Sequence, residues 1–152
     1  MISGMRVRRR SSAGGRDKSY KYYQLVVLTP GQTTVFYLAQ LGLIHPGAPD
    51  GIPTGGTITA SAQSGNNPAS AAFDDTGFSW GGFAPPQWVR YEFPVPIALT
   101  AYFLRALDGF NGEFYTPRSW RFEASNDAVT WEELHAETVA SWEGGQVRTY
   151  PL

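Results

Sequence analysis

The stretch of residues 117–134 constrains the fold of this chain more than any other. Residues 119–124 alternate polar and apolar side chains, and a period of two residues indicates a strand with one buried and one solvated face. A polar turn at residues 125–127 leads to a second apolar run. The stretch predicts a β-hairpin with Trp120 on one arm and Trp131 on the other. Two indoles on one face require a second sheet to cover them, so the hairpin predicts a β-sandwich.

The rest of the sequence is typical of short strands joined by turns. Its 152 residues are most simply one domain. Nine Phe, eight Tyr and five Trp accompany 17 Gly and 11 Pro, which favours strands and turns over helical bundles. Residues 87–93 alternate clearly, with Val89, Tyr91 and Phe93 on one face. These patterns predict an all-β fold, an antiparallel sandwich or jelly roll.

One helical turn is expected within residues 67–73, with Asn67 as its cap and Pro68 in its first position. The other predicted elements are strands at residues 22–28, 35–43, 57–61, 97–107 and 147–152 and loops at residues 45–56, 74–83 and 108–116.

Several classes of function find no support in the sequence. The chain has no cysteine, which excludes disulfides and thiol chemistry, and two histidines make a His-rich metal site unexpected. His45 and His135 lie in no recognisable nucleophile or metal motif, and adjacent Glu132 and Glu133 point to opposite faces of a strand. We therefore predict that the chain is not an enzyme. No apolar run is long enough to enter a membrane, and no apolar segment follows the basic N-terminus as in a signal peptide.

Charge divides the chain into a cationic arm and an anionic body. Residues 1–21 carry seven Lys and Arg against a single acid, whereas the remainder carries five Arg against twelve acids. Such an arm is either a solvated tail or a docking segment. As a docking segment it predicts an acidic protein partner, including a neighbouring copy of the body. Nucleic acid is disfavoured because the body is acidic and no aromatic residue precedes Tyr20. The partner-binding candidates are Arg6, Arg8, Arg9 and Arg10.

A set of motifs occurs in a specific order along the body. It consists of NPASAAFDD (67–75), Trp80, PPQWVRYEF (85–93), PRSWRFEASNDAVTW (117–131) and RTYPL (148–152). Together they resemble the discoidin, or factor 5/8 type C, domains of the galactose-binding-like superfamily, in the version seen in phage virion proteins. The opening YYQLVVL and FYLAQLGL also resemble the first strands of these domains. The resemblance covers residues 22–152 and leaves a separate arm at residues 1–21.

The resemblance implies an eight-stranded jelly roll whose termini lie close together. The disulfide that ties the termini of eukaryotic relatives is absent here, so strand pairing has to hold them. The family usually has Gly where Ala128 stands in the hairpin turn. A left-handed backbone is costly for Ala, which leaves the type of turn open.

The resemblance also places a structural calcium ion in the loop of residues 73–80. Calcium prefers carboxylate, carbonyl and hydroxyl oxygens from a tight loop. Asp74, Asp75 and Ser79 are the candidate ligands, together with backbone carbonyls near Phe73. The alternative is that Asp74 only caps a turn.

Sugar recognition in the family uses loops at one end of the sandwich, where aromatic faces stack on sugar rings and polar side chains bind the hydroxyls. The alternatives are a protein interface and, for Trp80, a packed position under the loop. Trp88, Trp120 and Trp131 are expected in the core. The carbohydrate-binding candidates are Trp80, Phe110, Asn111, Phe114, Tyr115 and Arg118, with Phe83, Trp142 and His45 as further possible contacts.

The sequence thus predicts a non-enzymatic binding module of a phage or phage-like virion, made in the host cytoplasm and placed in a tail, baseplate, fibre or head surface. It would recognise host-surface carbohydrate. The alternative is a structural decoration protein that docks onto neighbouring virion proteins through its arm and loops. Both hypotheses favour a homo-oligomeric or symmetric assembly without membrane insertion.

Overall fold

The computed structural model describes residues 18–152, and strands are the main regular secondary structure in them. The predicted all-β class is confirmed. The helical elements of this part are a 3-10 turn at Ala69–Ala72 and a short helix, α1, at Phe110–Tyr115. The ten strands are β1 Tyr20–Thr29, β2 Phe36–Leu38, β3 Gln40–Ile44, β4 Thr57–Ala60, β5 Trp80–Phe83, β6 Gln87–Ile97, β7 Ala101–Arg105, β8 Ser119–Ser125, β9 Glu132–Thr138 and β10 Val147–Pro151.

The strands form antiparallel sheets. A five-stranded sheet has the order β4-β6-β1-β8-β9, a three-stranded sheet has the order β10-β7-β3, and β2 pairs with β5. The long apolar β1 lies at the centre of the larger sheet, where both of its edges are paired. It begins at Tyr20, so the folded body takes in the last residues of the predicted arm. Arg6 and Arg8–Arg10 lie outside the described residues. No helix within residues 18–152 is long and apolar enough to cross a bilayer.

The pairing registers define two ends of the sandwich. Tyr22 pairs with Glu92 and with Ser125, whereas Val27 pairs with Gln87 and with Trp120. We call the end near Tyr22 the arm end, because residues 18–19 and the turn at residues 126–131 lie there. The opposite end carries segments 30–35, 106–118 and 139–146, and we call it the loop end.

The two main sheets meet through an aromatic cluster around Tyr102 of β7. Its ring stacks on Phe122 of β8 with centroids 4.0 Å apart. Its hydroxyl oxygen accepts the indole N–H of Trp120 at 2.9 Å and lies 2.6 Å from Nδ1 of His135. Because Trp120 donates to this oxygen, the hydroxyl proton is free to go to Nδ1, which fits a neutral imidazole. Burial raises the pKa of Tyr102 far above its ordinary range.

The predicted hairpin is confirmed as β8 and β9, but the prediction that both of its tryptophans share a buried face is wrong. Trp120 is fully buried. Ala124 faces the core and pairs with Glu132, so Trp131, one residue earlier, faces the outer side. The prediction that Trp88 lies in the core is also wrong: Val89 is buried and neighbours along a strand alternate, so Trp88 lies on the outer face.

Other predicted elements differ from the structure as well. Residues 80–83, at the end of the loop expected at 74–83, form β5. The strand expected at 35–43 is split at Ala39 into β2 and β3, and the strand expected at 97–107 starts only at Ala101 because Ile97 ends β6. Residues 110–115 form α1 instead of a loop. The helical turn is present, but it begins at Ala69, and Pro68 is its N-cap instead of its first residue. Asn67 does not cap it, since its Nδ2 donates to the backbone oxygen and to Oγ of Ser79, both at 3.1 Å.

Ala128 in the hairpin turn adopts the left-handed conformation, with φ of 61°. For a residue with a Cβ atom this conformation costs roughly 1–2 kcal/mol. Oδ1 of Asp127 accepts the backbone N–H groups of Thr130 at 2.8 Å and of Val129 at 2.9 Å, and these bonds lower the pKa of Asp127. Hydrogen bonds to the Asp127 side chain thus stabilise the turn that contains the left-handed Ala128.

We predict that the free energy of unfolding falls as the pH drops below about 6.5. Burial lowers the pKa of His135 beneath its ordinary value, and Glu137 and Glu133 oppose this only in part. The unfolded chain then binds more protons than the folded chain, so stability is complete above the unfolded pKa and is lost as the pH falls through the folded one. Urea unfolding at several pH values measures the slope. His135→Gln should flatten it, and an unchanged slope in that variant would contradict the prediction.

Candidate functional site

A groove of about 490 Å³ opens at the loop end between α1 and the segment that precedes β10. It is open to solvent and combines one large aromatic side chain with two carboxylates. Its lining residues are Gly109, Phe110, Glu113, Glu143 and Gly144.

Close contact between glycine backbones forms the base of this groove. A Cβ atom added to Gly144 would lie 2.4 Å from the backbone nitrogen of Gly109, and one added to Gly112 would lie 2.8 Å from Cα of Gly144. Both distances are shorter than real Cβ contacts. The backbone N–H of Gly145 donates to the carbonyl of Leu107 at 2.8 Å and joins the same two segments. These positions need glycine because two backbones approach where a side chain would stand.

Helix α1 presents its aromatic residues in two directions. Phe110 and Phe114 are four residues apart and therefore share one face of the helix, where they are 77% and 40% exposed. Asn111 is also exposed. Tyr115 instead packs edge-on against Tyr37, with centroids 5.0 Å apart. Of the predicted sugar contacts on this helix, Phe110, Asn111 and Phe114 are accessible to a ligand, and Tyr115 is used partly for packing.

Arg118 links the segments on either side of the groove by hydrogen bonds. Its Nη1 donates to the carbonyl of Ala140 at 2.5 Å, and its Nη2 donates to the carbonyl of Glu113 at 3.1 Å. The guanidinium therefore ties the base of β8 to α1 and to the segment after β9. The prediction of Arg118 as a sugar contact does not fit this arrangement, because both terminal nitrogens are directed at backbone oxygens.

The charge of the groove comes from acids. The carboxylates of Glu113 and Glu143 have no hydrogen bond or ion pair with any residue of the described part. Asp108 lies next to Gly145, which follows the groove residue Gly144, since a Cβ atom on Gly145 would be 2.9 Å from its Oδ1. Its carboxylate also has no partner in residues 18–152. The groove thus offers hydrogen-bond acceptors and negative charge next to an exposed aromatic ring.

Two predicted aromatic contacts belong to the core. Trp80 is fully buried, lies 5.0 Å from Phe36 between ring centroids and donates its indole N–H to the carbonyl of Ala62 at 2.8 Å. Trp142 is 1% exposed and donates to the carbonyl of Pro117 at 2.7 Å. Neither indole face is open to a sugar, so the prediction of Trp80 as a ligand contact is wrong for this structure.

The remaining polar and aromatic candidates lie elsewhere. His45 is at the arm end, where it packs edge-on against Phe93 with centroids 5.5 Å apart. Phe83 is partly buried against the core.

The oxygens predicted to bind calcium have separate partners within the chain. Oδ1 of Asp74 accepts the hydroxyl of Thr76 at 2.7 Å, which is the turn cap considered as the alternative. Oδ1 of Asp75 accepts Nη2 of Arg105 at 3.1 Å, and Oγ of Ser79 accepts Nδ2 of Asn67. Residues 18–152 contain no group of three or more His, Asp or Glu side chains arranged to hold a metal ion. These side chains as they stand do not form a calcium shell, and calcium binding stays a prediction.

The outer face of the larger sheet carries an arrangement that sequence reasoning missed. The guanidinium of Arg90 lies between two indoles, 4.0 Å from the ring centroid of Trp88 and 4.7 Å from that of Trp131. Its Nε donates to Gln24 at 3.0 Å, and Gln24 donates to Glu123 at 2.8 Å. Burial lowers the pKa of Arg90. The spacing of Trp88 and Arg90 already indicates a shared face, but Trp131 joins them only through the hairpin register.

The start of the described chain is fixed at the arm end. Oδ1 of Asn126 accepts the backbone N–H of Lys21 at 2.9 Å, and its Nδ2 donates to the carbonyl of Ser19 at 3.4 Å. Glu132 accepts the hydroxyl of Tyr20 at 2.6 Å and pairs with Lys18 at 3.5 Å. The arm therefore joins the body at the end opposite to the groove.

No family model matches the chain, and neither a curated protein nor a solved structure is significantly similar to it.

We predict that Gly144→Ala disrupts the base of the groove and lowers the free energy of unfolding by about 1–3 kcal/mol, since its methyl group would overlap the backbone of Gly109. Gly65→Ala is the matched control, because nothing lies within 4 Å of a Cβ atom there. Its effect should stay within about 1 kcal/mol or be slightly stabilising. Urea unfolding compares the two variants. Equal stability of both would show that the glycine contact does not shape this end of the molecule.

Proposed function

We propose that this chain is a non-enzymatic binding module that recognises carbohydrate through the groove at its loop end. The observation that carries this proposal is the ring of Phe110, which is 77% exposed beside a groove lined by two carboxylates that have no partner within residues 18–152. An exposed aromatic ring beside polar groups offers a stacking surface, and the C–H faces of sugar rings are suited to cover it.

The polar side of the groove supports the same ligand class. Glu113 and Glu143 can accept hydrogen bonds from sugar hydroxyls, and such charge-assisted bonds are stronger than neutral ones. The groove volume of about 490 Å³ falls in the range of small-ligand sites, roughly 300–1,000 Å³. An open, shallow groove suits the end of a surface glycan better than an enclosed small molecule.

The proposed setting is the surface of a phage or phage-like particle. The resemblance of the motifs to discoidin domains supports it, and so does the arrangement of five strands facing three. We also propose that the strands have jelly-roll connectivity and that the chain is a member of the discoidin family. A module attached through its arm end would direct the groove away from the particle, towards a host cell.

A second candidate function is assembly, with the arm docking onto neighbouring virion proteins. The observation that favours it is the anchoring of Ser19 and Lys21 by Asn126, which gives the arm a fixed starting point at one end of the body. In this case deletion of residues 1–17 would prevent incorporation into the particle without unfolding the sandwich.

We predict that Phe110→Ala weakens glycan binding about tenfold, the equivalent of about 1.4 kcal/mol for a lost stacking contact. A glycan array on the whole chain identifies a ligand, and calorimetric titration then measures affinity. Phe78→Ala is the matched control, because Phe78 is 66% exposed but does not line the groove. It should leave the affinity unchanged.

Both phenylalanines are exposed, so neither substitution should change the free energy of unfolding by more than about 0.5 kcal/mol. Two results would contradict the proposal: no glycan bound by the intact chain, or equal affinity in the wild type and the Phe110→Ala variant.

A further inference from the structure

We propose that the groove also receives the arginine-rich N-terminal segment of a second copy of this chain, so that copies associate head to tail. Where a glycan occupies the same groove, the segment and the glycan exclude one another. That competition rests on the proposed function, whereas the docking of the segment does not.

The first support is charge. Residues 1–17 contain five Arg and a single Asp. At the loop end, Asp108, Glu113 and Glu143 have no partner within residues 18–152. Arg118 and Arg148 form no ion pair with them, because Arg118 is directed at backbone carbonyls and Arg148 donates to the carbonyl of Ser141 at 2.7 Å. A cationic segment would therefore meet acids that have no ion-pair partner within residues 18–152.

The second support is the chemistry of the guanidinium group. Its flat face stacks on an aromatic ring while its N–H groups form paired bonds to a carboxylate. The groove offers both partners side by side in Phe110 and Glu113. The body already uses this kind of contact, with Arg90 between Trp88 and Trp131 and with Arg148 placed 4.5 Å from the ring of Trp142.

The third support is the placement of the two partners. The segment joins the body at the arm end, and the groove lies at the loop end, about 33 Å away along the ten residues of β1. A segment of 17 residues spans at most about 60 Å when extended. It is long enough to reach from one copy into the groove of the next. A contact between two different surfaces is heterologous, so repeating it from copy to copy generates a ring or a filament.

Engineered disulfides test the docking directly, because the chain has no cysteine of its own. One full-length variant carries Ser12→Cys, and a second carries Ser141→Cys, an exposed position two residues before Glu143. When the two are mixed under mild oxidation, we expect the mixed disulfide to form about tenfold faster than with a Thr54→Cys partner. Thr54 is exposed in the loop of residues 45–56, which follows β3 at the arm end.

Charge substitutions show whether the acids of the groove carry the contact. Glu113→Gln combined with Glu143→Gln should remove the preference for Ser141→Cys, and so should high salt. The matched control is Asp50→Asn combined with Glu133→Gln, which removes two exposed acids away from the groove and should preserve the preference.

Equal rates for Ser141→Cys and Thr54→Cys would overturn the proposal. So would a double variant, Ser12→Cys with Ser141→Cys, that forms its disulfide only within one chain at every protein concentration. Cross-linking that succeeds while no glycan binds would uphold the docking and reject the proposed function. Glycan binding without selective cross-linking would uphold the proposed function and reject the docking.

Discussion

The contact between Tyr102 and the hairpin strand β8 is the interaction on which the rest of the structure depends. Tyr102 stacks on Phe122 and accepts the indole N–H of Trp120, so one side chain joins the smaller sheet to the larger one by ring contact and by hydrogen bond. Strands β7 and β8 are also the two elements from which the 106–118 segment departs. Fixing them against each other fixes both ends of the segment that carries Phe110.

The candidate site is built mainly from backbone contacts on this scaffold. Gly144 packs against Gly109, and Arg118 binds the carbonyls of Glu113 and Ala140, so the segments on either side of the groove are tied together without a disulfide. Phe110 and the carboxylate of Glu143 then remain free to face solvent. Loops held by a rigid sandwich in this way can display a recognition surface that loses little conformational entropy on binding.

Alternation along single strands made the faces of β6 and β8 predictable, including the burial of Tyr91 and Trp120. The position of Trp131 was not predictable, because its face depends on the register across the turn, and one residue of shift reverses every side chain. Local patterns also could not show that Phe110 begins a helix. The role of Arg118 depends on carbonyl oxygens of distant residues, which a sequence does not reveal.

Hydrogen exchange of the five indole N–H groups, followed by NMR, measures the interior between the sheets most directly. Trp80, Trp120 and Trp142 are buried and each donate an indole hydrogen bond, whereas Trp88 and Trp131 lie on the outer face and have no indole hydrogen bond within residues 18–152. We expect slow exchange for the first three, slowest for Trp120, and fast exchange for the other two. If Trp120 exchanged as fast as Trp131, the sheets would not enclose a dry aromatic interior around Tyr102.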